Sequence, residues 1–116
     1  MKNLQDKLVY WKNILDLNDW HIVLYENCSP NDMRLTCVAG ENEWDEVHKS
    51  SIIRIIDKKD YGDRILPFDS EKTLVHELLH IKFAFLDNSG NELQDRILHQ
   101  TIDSMAKSLV KAKRSK

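Results

Sequence analysis

The sequence predicts a single α+β domain in which helices frame one small three-stranded sheet, and three observations carry that expectation. Apolar residues recur at spacings of three and four in three separate stretches, the period of a helix with one buried face. Between the first and second of these lie short runs rich in β-branched and aromatic side chains, bounded by Asn, Asp, Gly and Pro. A length of 116 residues, with 41% hydrophobic and 31% charged side chains, suits one core, so residues 1–116 form one domain.

Leu4, Leu8, Trp11 and Leu15 mark an amphipathic helix over roughly the first 16 residues. Trp20 to Tyr25 reads as a strand, stopped by the polar cluster Asn27 to Asp32 with Pro30. A second strand is expected over Arg34 to Ala39, ahead of Gly40, and acidic Glu41, Glu43, Asp45 and Glu46 then read as a solvated hairpin tip. Ser51 to Ile56 is the third strand, mostly buried, with Arg54 at an edge or rim. The stretch Asp57 to Asp69, holding Gly62 and Pro67, reads as irregular. Asp69 or Ser70 can cap a helix over Glu71 to Leu86, and Glu71 suits its first turn because the helix dipole favours an acid there. That helix is apolar on nearly every side and should be buried. Asp87 to Asn91 makes a turn, and the stripe from Leu93 to Val110 marks a last helix ending near Lys113.

Lys and Arg total 17 against 19 Asp and Glu, a net charge of −2, so no global field draws the chain to nucleic acid or to an anionic membrane. Neither is expected as a partner. No apolar run approaches the roughly 20 residues that cross a bilayer, and MKNLQDKLVYWKN lacks the apolar core of a secretory signal, so a cytoplasmic location is expected. Cys28 and Cys37 show no Cys-x-x-Cys spacing and read as reduced, partly buried thiols. Lys107, Lys111, Lys113, Arg114 and Lys116 complement the carboxyl end of a helix. His21 and His48 are not spaced for a shared ligand and read as structural.

The chemistry concentrates in His76-Glu77-Leu78-Leu79-His80, an HExxH pattern. Histidines at i and i+4 share one helical face and can hold one zinc ion, while Glu77, turned about 100° around the axis, reaches the edge of that site as a general base. Two histidines and a glutamate on an apolar helix are otherwise buried polar groups without compensation, which a bound cation supplies. Catalytic zinc takes three protein ligands and keeps a position for water, so a third ligand is needed. The His76/His80 pair is centred eight residues, about 12 Å, before Leu86, and an antiparallel return helix regains that depth about eight residues after Asn91. That position is His99, the alternative being a helix-surface histidine. Asp103, one turn later on the same row, can accept a hydrogen bond from a ligating imidazole.

The order helix, three strands, HExxH helix, turn, helix resembles a minimal zincin-type metallopeptidase of the small kind found in phages and mobile genetic elements, over nearly the whole chain. In the gluzincin branch the third ligand is a glutamate on the following helix, about 20 positions after the second histidine, with an aspartate four residues on. Here His99 follows His80 by 19 positions and Asp103 follows His99 by four, so both sites carry over with histidine in place of glutamate. The metzincin pattern would need Gly and His where Phe83 and Leu86 stand. The resemblance implies Zn2+ on His76, His80 and His99, supported by Asp103, and peptide-bond hydrolysis with Glu77 as general base and proton donor to the leaving amine. It also implies a second oxyanion donor, for which Tyr61 is the candidate, a packing role being the simpler alternative. Strand Ser51 to Ile56 is expected to receive an extended substrate by edge pairing. The implied partners are a peptide or protein substrate and, given the shallow cleft such a short chain can form, a dedicated protein partner. The competing expectation is a non-catalytic or regulatory metal-binding module on the same scaffold.

Overall fold

The structure is a computed structural model and describes residues 3–36, 38–86 and 90–115. Helix α1 (Leu4–Ile14) leads to β1 (His21–Cys28), then a 3-10 turn at Pro30–Asp32 and the hairpin of β2 (Gly40–Asp45) with β3 (Ser50–Ile56). A one-turn helix α2 (Lys58–Tyr61) precedes α3 (Ser70–Lys82), a 3-10 turn at Ala84–Leu86 and α4 (Glu92–Arg114). The architecture is α+β, with four helices and one small mixed sheet.

Local chemistry fixes most boundaries. The Asn3 side chain accepts from the Asp6 N–H at 2.8 Å and starts α1. Asp69 does the same for α3, accepting from Lys72 N–H at 3.1 Å, so the aspartate is the cap and Ser70 the first helical residue. Asn91 caps α4 by accepting from Gln94 N–H at 3.0 Å. Helix α3 ends at Lys82, four residues before the expected Leu86, and the chain tightens into the 3-10 turn. Phe85 and Leu86 are consequently exposed instead of buried.

The sheet order is β1-β3-β2, with β1 parallel and β2 antiparallel to β3. Two sequence expectations fail here. The second strand is Gly40–Asp45, while 34–36 and 38–39 form bends and coil. The acidic stretch is therefore mostly strand, and only Glu46 sits in the connecting turn. Glu41 is buried, because its carboxylate accepts the backbone N–H groups of Arg34 and Leu35 at 2.9 Å and pairs with Arg54 at 3.0 Å. Burial resists its ionisation, but those N–H donors and the guanidinium outweigh burial and hold its pKa below the usual value. Arg54 is accordingly on the central strand, directly opposite Glu41, and not at a rim. The other failure is topological: β3 is paired on both sides, so it has no edge to offer a peptide. The free edge on the side of α3 is β2.

Alternation along the sheet gives it an inner face of Ile22, Leu24, Ser51, Ile53 and Ile55, which meets the helices. Leu74, Val75, Leu78 and Leu79 of α3 fill the centre, flanked by Leu8 and Trp11 of α1 and by Ile102, Ala106 and Val110 of α4. Each of α1 and α4 buries one stripe at helical spacing. Glu71, expected to face the helix dipole, is instead a buried tie between helices: it accepts the Trp11 indole N–H at 2.8 Å and pairs with Lys113. Cys28 is a buried free thiol. Cys37 and positions 87–89 of the expected turn lie outside the described residues. His48 pairs with Asp45 at 2.6 Å at the surface, and His21 is exposed. Among the described residues no helix is long and apolar enough to cross a membrane.

Candidate metal centre

Helix α3 carries His76, Glu77 and His80 through the middle of the domain, and its periodicity sorts them. Leu74, Val75, Leu78 and Leu79 take the fully buried faces, leaving His76 and His80 on the row that meets α4. The Nε2 atoms of His76 and His80 are 3.2 Å apart. The ring of His99, from the second turn of α4, lies with its centroid 4.9 Å from that of His80, and the His76 and His80 centroids are 5.0 Å apart. His99 is an exposed residue whose ring nevertheless packs on His80. Asp103, one turn further along α4, places Oδ1 3.5 Å from His76 Nδ1. The antiparallel return of α4 thus brings all four side chains to one place.

Electrostatics at the cluster reflect burial first. Desolvation lowers the pKa of His76, and the neighbouring His80 adds to this, with Asp103 pulling the other way. At neutral pH its imidazole is therefore held in the neutral form that a metal requires. Glu77 is buried, and desolvation, reinforced by the nearby charge of Glu41, raises its pKa to about 8. No hydrogen bond to a charged partner offsets that cost.

Among the described residues no three His, Cys, Asp or Glu side chains stand as a finished metal cage. The donor set nonetheless has the right dimensions for zinc. Two nitrogens bound to one tetrahedral zinc at about 2.0–2.1 Å stand about 3.3 Å apart, and rings sharing such an ion have centroids about 5 Å apart. The observed 3.2 Å edge and the 4.9 and 5.0 Å ring separations match these values. Neutral imidazoles are also the chemistry zinc prefers.

A cleft of about 290 Å³ opens on His76 and Glu77, bounded by Val38 to Gly40 on one side and by Tyr61, Leu66 and Pro67 on the other. Tyr61 thus faces the same cleft as Glu77, with its hydroxyl donated to the Leu66 carbonyl at 2.8 Å and its ring against Phe68. It can serve as a donor to a bound group only by releasing that carbonyl.

Strand β2 contributes three residues that the sequence reading missed. Gly40 lies so close to α3 that a Cβ there would sit 2.6 Å from Thr73 Cγ2 and 3.5 Å from Glu77 Oε2. Asn42 donates its side-chain amide to the Glu77 carbonyl at 2.9 Å and accepts from the Ser51 hydroxyl. Trp44 stacks on His80. The signal was present as a period of two, with Gly40, Asn42 and Trp44 alternating against Glu41, Glu43 and Asp45. Comparison of the chain with protein-family models, with curated proteins and with solved structures returns no match.

Proposed function

We propose that the protein is a zinc-dependent metallopeptidase of the zincin type, in which His76, His80 and His99 hold the metal and Glu77 is the general base. The observation that supports it is the meeting of three imidazoles from two antiparallel helices beside a buried carboxylate at the floor of a cleft. Zinc bound there would supply a Lewis acid for the peptide carbonyl and acidify the water to be deprotonated.

The chain's own residues account for the rest. Glu77, buried and without a counter-ion of its own, has a high proton affinity, the property wanted in a group that accepts a proton from water and returns it to an amine. A cation beside it favours its ionised form, so the base is ready only in the metal-loaded protein. Asn42 holds the Glu77 backbone carbonyl and fixes the helix against β2. Asp103 beside His76 Nδ1 orients that ring with its other nitrogen toward His80. The free edge of β2 runs along α3 from Gly40, at Glu77, to Trp44, at His80, and can pair with an extended peptide through backbone hydrogen bonds.

The test is a Glu77→Gln variant assayed for zinc content and for cleavage of fluorescently labelled, unfolded casein. Zinc near one per chain in both proteins, with cleavage in the wild type alone, is the expected result. A variant that cleaves as fast as the wild type refutes the assignment of the base. Zinc binding with no cleavage by either protein would instead favour a non-catalytic metal-binding module.

A further inference from the structure

A second hollow, of about 390 Å³, opens beside the cleft and shares its Leu66, Pro67, Asp69 and Lys72 walls. Its far wall is the last part of α4, where Lys107, Lys111 and Arg114 line it. Its charge is one-sided. Asp69 is the lone acid, and it is already answered by Arg114 at 2.7 and 3.1 Å. Lys72 stands 3.8 Å from Asp103. Lys107 and Lys111 are exposed and make no ion pair among the described residues, leaving a positive excess on a chain whose net charge is −2.

We infer that this groove holds an acidic segment of the polypeptide that occupies the cleft. The inference rests on the peptidase reading and names the substrate class for that site. Asp103, Lys107 and Lys111 are spaced by four and form one row on α4, which leads away from His76. At 1.5 Å per helical residue, Lys107 is about 6 Å and Lys111 about 12 Å along this row from Asp103. An extended peptide advances about 3.3 Å per residue, so acidic side chains about two and four positions from the bond in the cleft would meet the two ammonium groups. Backbone pairing at β2 carries little sequence information, and the lysine row would supply it. A helix-end role for these lysines explains their sign but not their alignment with the cleft.

Fluorescein-labelled deca-glutamate is the probe, with deca-serine as the neutral control and a ten-nucleotide oligothymidylate as the phosphate control. Anisotropy titrations compare the wild type, Glu77→Gln and the exposed double variant Lys107→Gln/Lys111→Gln. Wild type and Glu77→Gln should bind deca-glutamate at least about tenfold more tightly than deca-serine, with the preference shrinking as salt rises. The double variant should lose about fivefold. No preference over deca-serine, or an unchanged affinity in the double variant, overturns the groove. Oligothymidylate bound as tightly as deca-glutamate, and likewise lost in the double variant, overturns it in favour of a phosphate surface. Charge-selective binding by a protein that cleaves nothing would refute the catalytic reading and keep the groove, whereas cleavage of neutral and acidic peptides at equal rates would do the reverse.

Discussion

The indole of Trp44 stacks on the imidazole of His80, with ring centroids 6.4 Å apart and planes 21° from parallel. An edge strand thereby braces the second histidine of the HExxH helix from the side opposite α4, whose His99 packs on the same ring. Aromatic contacts of this kind contribute about 0.5–1.5 kcal/mol beyond burial. Trp44→Ala should weaken zinc binding by about two- to tenfold in a competition titration with a chromophoric chelator. Trp44→Phe should recover most of the loss. Equal zinc affinity in all three proteins would mean that the indole has no part in orienting His80.

Gly40 is required for space. Its φ is not in the left-handed region, yet an added Cβ would stand 2.6 Å from Thr73 Cγ2, a branched methyl that cannot move far. Gly40→Ala should destabilise the protein by about 1–3 kcal/mol in urea denaturation. Thr73→Ser removes the obstructing methyl and keeps the hydroxyl that donates to the Asp69 carbonyl, so the double variant should recover much of that loss. Strict additivity of the two changes would count against a direct clash.

The helices were legible because each shows its own stripe: Leu4, Leu8 and Trp11 in α1, and Leu98, Ile102, Ala106 and Val110 in α4 are the residues buried. His99 was found by counting along two antiparallel helices, a calculation that works because α-helical rise is nearly constant. The error lay between Arg34 and Glu46. A run of acids reads as solvent-facing, and only tertiary partners make β2 a strand: Arg54 across the ladder for Glu41 and Glu43, and α3 under Asn42 and Trp44. Strand propensity follows burial and cross-strand pairing, neither of which the segment states by itself. Strand order was equally hidden, since the sequence does not say that β1 returns beside β3 and leaves β2 as the edge.

His99 distinguishes a three-imidazole site from a two-imidazole one. It is exposed and contributes nothing to the core, so His99→Ala should change the stability of the metal-free protein by no more than about 0.5 kcal/mol. Removing a ligand should nonetheless lower zinc affinity by about a hundredfold, against about tenfold for Asp103→Asn, which only loosens the contact to His76 Nδ1. Isothermal titration with zinc after dialysis against chelator measures both. Zinc affinity unaltered by His99→Ala would leave a His76/His80 pair and end the three-ligand argument.

Acid stability should depend on Glu71, which ties α3 to both ends of the chain. Its carboxylate is 3% exposed and takes the Trp11 indole N–H, the Lys113 ammonium and the Arg114 guanidinium. Burial alone would raise its pKa, but Lys113 and Trp11 outweigh burial and bring it below the ordinary 4.5. A carboxyl group with a lowered folded-state pKa stabilises the fold above its unfolded value, and that contribution disappears as pH falls through the folded value. Glu71→Gln leaves Lys113 buried without its counter-charge and should cost about 3–5 kcal/mol at pH 7. Urea denaturation between pH 7 and 3 should show the wild type losing stability more steeply than the variant below about pH 4.5, so that the gap between them narrows in acid. A gap constant across that range would mean that Glu71 binds its proton equally in the folded and unfolded chains, contrary to the network around it.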